Sequence, residues 1–236
     1  MRKLILLAFV LLAWPLASRA QGGGIAPFVA TYSARGEFQG QPQDLGTREI
    51  TVADSVAGGA GVWVVVNRMT VSGQPGIDSV VMARGSLAPL SRHAVLGLAR
   101  LTLDLQDSVL TGHLKAGPQV LPLSFRPGER SFLNYYALRT ALRDWPVTAG
   151  WRGTAAILEL LGRAELTQVT MEVTGEEKIT VPAGEFDCWV VHVTGSAIDE
   201  RWWVSKAGHH VVRTREPVGR AGAIMQLDLV SLAPAP

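Results

Sequence analysis

Residues 181–194 read VPAGEFDCWVVHVT, and this stretch decides the fold class. Proline presets φ at the first corner of a turn and glycine adopts the positive φ that a later corner often needs. Pro182-Ala183-Gly184 therefore predicts a tight turn between two strands. The second strand is apolar on both alternating faces, with Cys188 on one and Trp189 and Val191 on the other. Such a strand must be covered on both faces, so we expect it in the interior of an antiparallel sheet.

A second segment, RWWVSK at 201–206, continues the pattern with one tryptophan on each face. Together with VPAGEFDC at 181–188, VR at 212–213, and YYALR at 135–139 followed by Gly150, it resembles a known family. That family consists of exported Gram-negative β-proteins and is numbered 3108 among the domains of unknown function. The resemblance implies an exported, mostly antiparallel β-fold, and it brings no catalytic residues to this chain.

The first twenty residues have the pattern of a secretory signal peptide. Arg2-Lys3 is a positive n-region, 4–12 is a short apolar run, and Ser18-Arg19-Ala20 is a small-x-small cleavage site. The apolar run is too short to span a bilayer core of about 30 Å. We predict cleavage after Ala20, a flexible leader over 21–27, and a periplasmic or outer-membrane-associated protein. N-terminal sequencing of the exported protein should begin at Gln21.

Charge and cysteine content exclude some classes of function. The 22 basic residues include three in the signal peptide, so the exported chain has 19 basic against 20 acidic residues and gives no electrostatic case for nucleic-acid binding. Cys188 is the only cysteine and cannot form an internal disulfide. We expect it to be a small buried hydrophobe with an inert thiol.

Strands separated by turn residues follow one another along most of the chain. In the first half we predict them at 28–38, 48–56, 62–71, 77–84, 90–96, 99–105, 109–115 and 119–125. Residues 154–161 also have helix propensity, but we interpret them with 166–173 as a hairpin. The fold class predicted is mostly β: an antiparallel meander curled into a sandwich or open barrel, forming one domain over 28–232 with one short helix near the middle. Similar patterns at 28–126 and 150–232 suggest two related meanders, although all β-meanders share such patterns.

One helix is predicted over 131–143. Ser131 is the expected N-cap, and Pro146 bars continuation. An apolar stripe at helical spacing consists of Tyr135, Leu138, Ala141 and Leu142. Arg139 and Arg143 lie one turn apart; we favour a solvated face for them over a site for an anionic head group.

No motif with a recognised chemistry is present in the sequence. It contains no His-Glu-x-x-His, no paired cysteines and no Gly-x-Ser-x-Gly, so no catalytic residue, cofactor or metal ligand is predicted. His209-His210 follow the turn signal Lys206-Ala207-Gly208, and we interpret them as a solvated hairpin. We favour this over a metal site, because adjacent strand residues point to opposite faces and would not converge on one ion. The acid pairs Glu176-Glu177 and Asp199-Glu200 are also expected to be solvated.

The remaining signal is an excess of apolar side chains. Several strands are apolar on both faces, and one helix is too narrow to cover a broad sheet, so we predict an apolar cavity between sheet and helix. The residues expected to line it are Trp63, Val65, Trp189, Val191, Trp203, Tyr135 and Leu138. The expected function is non-catalytic, in the cell envelope, with an apolar small molecule or lipid as ligand and peripheral membrane contact as a further option. A dry sandwich, a small outer-membrane β-barrel and an envelope hydrolase are the alternatives.

Overall fold

A computed structural model describes residues 24–38, 40–71, 74–160, 164–195, 198–218 and 223–235. The predicted signal peptide, its predicted cleavage site and the start of the predicted leader lie outside this part of the chain. Among the described residues, no helix has the length and apolar character needed to cross a membrane.

The described chain forms fifteen strands and one α-helix, α1, which spans Tyr135–Ala141 and continues as a 3₁₀ turn over Leu142–Asp144. In chain order the strands are β1 Phe28–Phe38, β2 Gln41–Ala57, β3 Ala60–Val71, β4 Gln74–Ala83, β5 Pro89–Leu96, β6 Ala99–Gln106, β7 Val109–Ala116, β8 Gln119–Phe125, β9 Ser131–Phe132, β10 Arg152–Glu159, β11 Glu165–Val181, β12 Gly184–Thr194, β13 Asp199–Ser205, β14 Val211–Val218 and β15 Ala223–Pro234.

All the strands belong to one sheet. Its order is β8-β7-β6-β5-β4-β3-β2-β1-β15-β14-β13-β12-β11-β10-β9, so the first and last long strands pair at its centre. The pairs are antiparallel except β9 with β10, which run parallel. The sheet is curled and open, with β8 and β9 at its edges. The predicted fold class is therefore confirmed. The β1–β15 pair joins the strands that precede α1 to those that follow it. That these two sets of strands are copies of one internal repeat stays a prediction.

The local turn chemistry is as predicted. Residues 182 and 183 form the turn between β11 and β12, and Gly184 has a φ of 129° that L-residues rarely adopt. Strand β12 pairs with β11 and β13, which places it inside the sheet. Cys188 is completely buried in it. The segment 154–161, ambiguous in sequence, pairs antiparallel with β11 through its described residues and so belongs to a hairpin.

The helix begins later than predicted. Ser131 belongs to the short strand β9, and its hydroxyl accepts a hydrogen bond from the backbone N–H of Gly128 at 2.9 Å. Asn134 is the N-cap instead, since its Oδ1 accepts from the backbone N–H of Ala137 at 2.8 Å. Pairing of β9 with β10 withdraws Ser131 from the helix start, and the sequence gives no sign of that pairing.

The inner face of the curled sheet buries one contiguous apolar core against α1. A buried ion pair lies within it: Arg92 on β5 contacts Asp78 on β4, with Nη2 2.8 Å from Oδ2 and Nε 3.0 Å from Oδ1. Arg92 also donates to the carbonyl oxygen of Leu133, just before α1. This arginine therefore ties the approach to the helix to the sheet, in an interior where an unpaired charge would be costly.

Candidate functional site

A charged cluster fills the interior beside α1. The Arg139 guanidinium on the helix contacts Glu200 on β13, with Nη2 3.3 Å from Oε2, and the same nitrogen donates to Glu216 on β14. Glu200 Oε2 also accepts from Trp202 Nε1 at 2.7 Å, and Thr214 Oγ1 donates to Glu216 at 2.9 Å. We call Arg139, Glu200, Glu216 and Trp202 the interior cluster. It joins the helix to two neighbouring strands.

Aromatic rings surround the arginine of this cluster. The Arg139 Cζ lies 4.8 Å from the ring centre of Trp202, 5.6 Å from that of Tyr135 and 5.5 Å from that of Tyr136. These distances are typical of cation–π contacts, which strengthen when water is excluded. The Nε of Arg139 is buried and has no hydrogen-bond partner among the described residues. The guanidinium is thus held mainly by two carboxylates and three ring faces.

Burial and neighbouring charges shift the pKa values of the ionisable groups at this site. Burial raises the pKa of Glu200 to about 7, and repulsion from Glu216 adds to the shift, while Arg139 and the Trp202 N–H oppose it. Burial would lower the pKa of Arg139, but Glu216 and Glu200 raise it above the usual range, so the guanidinium stays charged. Burial also raises the pKa of Tyr135 and Tyr136. Glu200 is therefore the group that changes charge near neutral pH.

An apolar cavity lies next to the cluster, between α1 and strands β1, β2, β14 and β15. Its volume is about 30 Å³, the space of about one water molecule. We call it the helix-side cavity; its walls are Phe28, Tyr32, Ile50, Tyr136, Arg139, Thr140, Arg143, His210, Val211, Thr214 and Leu227. Tyr32 donates its hydroxyl to the carbonyl oxygen of Val211 at 2.8 Å, and burial raises the pKa of Tyr32 to about 12.

His210 and Arg143 form the polar side of this cavity. The His210 ring meets Phe28 edge-on with centroids 5.8 Å apart, and burial lowers the pKa of His210 to about 4. Arg143 stacks its guanidinium 4.8 Å from the Phe28 ring centre, and its Nη1 donates to the carbonyl of Ala26 at 3.1 Å. Burial lowers the pKa of Arg143.

Three sequence-based expectations of solvation are therefore wrong. Arg139 is 9% exposed and Glu200 is 7% exposed, and each has charged partners in the interior. His210 packs on Phe28. The alternation along β13 could have revealed Glu200, because it shares a face with the fully buried Trp202.

The seven residues predicted to line an apolar cavity lie in different surroundings. Val65, Leu138 and Val191 are completely buried, Trp63 nearly so, and Tyr135 is half-buried against the interior cluster. Trp189 lies under the Lys206 ammonium, 4.3 Å from its ring centre. None of the seven lines the helix-side cavity. Their role in binding stays a prediction.

The strand register shows on which face of the sheet Trp203, one of these seven residues, lies. Val191 pairs with Trp202, and Val190 pairs with Trp203, so Trp202 and Val191 share the inner face of the sheet. Trp203 lies on the opposite face, where it is nevertheless buried. There Trp203 Nε1 donates to Glu177 at 2.8 Å. Lining one cavity together would require Trp203 and Val191 to share a face, and they do not. Alternation within a strand does not give its phase relative to the next strand.

Among the described residues, no group of three or more His, Cys, Asp or Glu side chains could hold a metal ion. The side chains of metal-ligating type that the interior cluster brings together are the carboxylates of Glu200 and Glu216. Both are committed to Arg139.

Comparison with known proteins agrees with the family resemblance of the sequence motifs. Residues 30–226 match the sequence model of a family described as protein of unknown function, DUF3108. The chain belongs to this family. No curated protein matches the sequence.

Several solved structures resemble the fold at low identity. A protein of Bacteroides fragilis with a YmcC-like fold is 10% identical over 87% of this chain and 95% of its own, with a TM-score of 0.36. The hypothetical lipoprotein YmcC of Escherichia coli is 14% identical over 86% of each chain, with a TM-score of 0.32. A LolA superfamily protein of Nitrosomonas europaea is 9% identical over 90% of this chain and 87% of its own, with a TM-score of 0.23. Similarity this weak carries no inference about the ligand of this chain.

Proposed function

We propose that this protein is a non-catalytic binding protein of the cell envelope that holds an apolar, lipid-like molecule between α1 and the inner face of its sheet. The observation that supports the proposal is the helix-side cavity, whose walls on β1, β2 and β15 are the apolar Phe28, Ile50 and Leu227 together with Tyr32. The signal-peptide pattern of the first twenty residues supports a periplasmic or outer-membrane-associated location.

The cavity must enlarge to accept such a ligand. Ligand sites commonly have volumes of about 300 Å³ or more, against about 30 Å³ here. The wall that can move is α1, because a seven-residue helix is not stable alone and keeps its place through its tertiary contacts. An acyl chain would replace the apolar contacts of the helix with its own surface and offset that part of the cost of moving it. The movement must keep Arg139 paired with Glu200 and Glu216, since an unpaired buried charge would be costly.

Palmitate, below its micelle concentration, tests this proposal through the thermal unfolding midpoint. A ligand that binds only the folded state raises the midpoint as its concentration exceeds Kd. Val211→Ile places one more methyl group at the cavity wall, and Val212→Ile is the matched control, since Val212 is completely buried on the same strand but does not line the cavity. We expect palmitate to stabilise the wild type and V212I, and to stabilise V211I less.

Two results would count against the proposal. One is a wild-type midpoint that palmitate does not change at any such concentration. The other is an equal shift in V211I and V212I, which would place any bound chain away from the helix-side cavity.

A further inference from the structure

Two arginines line the helix-side cavity, and they differ in their partners. Arg139 is paired with the two carboxylates of the interior cluster. Within the described part of the chain, no salt bridge involves Arg143. No acidic side chain lines the cavity. Arg143 is half-buried, and withdrawing a charge from water without a counter-ion is unfavourable, so this position would gain from an anion.

The acidic residue next to Arg143 in sequence, Asp144, is engaged elsewhere. Its Oδ1 accepts a hydrogen bond from the backbone N–H of Gly24 at 3.1 Å, and it is not a wall of the cavity. Its charge weakens the attraction that Arg143 exerts on an anion. It occupies none of the N–H donors of the guanidinium, however, and those donors are what a bound anion would contact.

The other titratable walls of the cavity are neutral at pH 7. Burial, and then the charge of Arg143, lower the pKa of His210 to about 4, so its ring is uncharged and can donate one hydrogen bond. Burial raises the pKa of Tyr32 to about 12 and raises the pKa of Tyr136 as well. Since carboxylates balance Arg139, the charge that the walls offer to a ligand is that of Arg143.

The cavity runs from this cation at the protein surface to an apolar interior. Arg143 Nε donates to the carbonyl oxygen of Gly208 at 3.4 Å and Nη1 to that of Ala26 at 3.1 Å, and both contacts are exposed. Both N–H groups of Nη2 and one of Nη1 have no partner among the described residues. Ile50 and Leu227, in contrast, are buried walls. A polar end with free donors and an apolar end match the two parts of an amphiphile.

We infer that the ligand of the helix-side cavity is a single-chain amphiphile whose carboxylate head group binds Arg143 while its chain extends towards Ile50 and Leu227. This inference rests on the proposed function and names the class of ligand. The planar fork of one guanidinium matches the two oxygens of one carboxylate. A single chain requires the least enlargement of a cavity of about 30 Å³. The carboxylate also supplies the counter-ion that Arg143 lacks among the described residues.

Probes that share one alkyl chain and differ in head group test the inference. Laurate, 1-dodecanol and dodecyl phosphate, each below its micelle concentration, are titrated at neutral pH by calorimetry into the wild type, R143Q and R130Q. Arg130 is the matched control, because it is exposed, stacks 5.4 Å from the ring centre of Trp145 and does not line the cavity. Both substitutions change the net charge equally.

The expected result is a preference that depends on Arg143. Hydrogen bonds to a charged group are worth about tenfold or more in affinity. We therefore expect the wild type and R130Q to bind laurate about tenfold or more tightly than dodecanol, and to bind dodecyl phosphate no more tightly than laurate. R143Q should bind laurate and dodecanol with similar affinity, because its loss falls on laurate alone.

The inference is overturned if the wild type binds laurate and dodecanol equally, or if R130Q loses the preference as R143Q does. Tighter binding of dodecyl phosphate than of laurate would also overturn it, in favour of a phosphate head group. Equal binding of laurate and dodecanol leaves the proposed function standing, whereas binding of no probe overturns both. The comparison of probes on the wild type does not depend on how well a variant folds. The unfolding midpoint of R143Q without ligand reports separately on its lost contact with Phe28.

Discussion

Glu200→Gln tests the energetics of the interior cluster. The pKa of Glu200 is raised from 4.5 to about 7 in the folded protein, chiefly by burial. A carboxyl group whose pKa is raised by folding stabilises the folded state fully below its unfolded pKa, and this contribution is lost as pH rises through the folded pKa. At 1.36 kcal/mol per pKa unit, ionisation of Glu200 should cost about 3 kcal/mol of unfolding free energy between about pH 4.5 and pH 7. Glutamine keeps an oxygen that can accept from Trp202 but does not titrate.

The measurement is urea unfolding of the wild type and E200Q at several values between about pH 5 and pH 8, followed by tryptophan fluorescence. The wild type should lose stability relative to E200Q as pH rises, by about 2–3 kcal/mol over this range, since the rest of the change falls below pH 5. His210 acts in the opposite direction, since its pKa is lowered to about 4 and its stabilising contribution grows as pH rises towards 6.5. That contribution is common to both proteins and cancels in the difference.

The control is E185Q, which removes an exposed carboxylate from the β11–β12 hairpin and matches the change in net charge. A difference between wild type and E200Q that stays constant across this pH range would refute the reasoning. It would mean that Glu200 is not desolvated in the folded protein, or that Arg139 neutralises it fully.

Three further predictions concern single residues. Gly184→Val should destabilise by about 1 kcal/mol or more because of the positive φ; Gly175→Val is the control, since Gly175 lies in strand β11 with open space around it, and equal thermal midpoints would contradict the prediction. Cys188 should react with a thiol reagent far more slowly in the native protein than in denaturant, because it is buried and burial raises its pKa to about 11. Arg92→Met should cost about 3–5 kcal/mol in urea unfolding, since it leaves a buried carboxylate unpaired, whereas Arg68→Met, from a half-exposed pair, should cost less than about 1 kcal/mol.

Much of the fold could be predicted because strands and turns depend on neighbours in sequence. The bounds predicted for β1 and β8 are those observed, and the turn at Pro182 and Ala183 follows from the backbone preferences of proline and glycine. Strand β2 begins earlier than predicted, at Gln41, because pairing with β1 extends it through residues without an apolar pattern. The residues of a strand predict that the strand forms, whereas its length also depends on the strand with which it pairs.

The candidate site could be predicted only in part. Tyr135 was selected for its apolar surface, and the structure places it against Arg139, whose surroundings the sequence did not reveal. Arg139 meets Glu200 and Glu216 across 61 and 77 residues of sequence. No periodicity within one segment encodes such a distant pairing.

The amino-acid sequence by itself determined that the chain is mostly β, that Cys188 is buried, that the strands around residues 181–194 pair inside the sheet, and to which family the chain belongs. These follow from local alternation, turn residues and short motifs. Only the tertiary structure decided that Trp202 faces inward, that Glu200 is buried, and that Arg201 and Arg215 oppose each other on the outer face. The physical reason is register: the period of two places residues on alternate faces of one strand, but hydrogen bonds between strands distant in sequence set how those faces align.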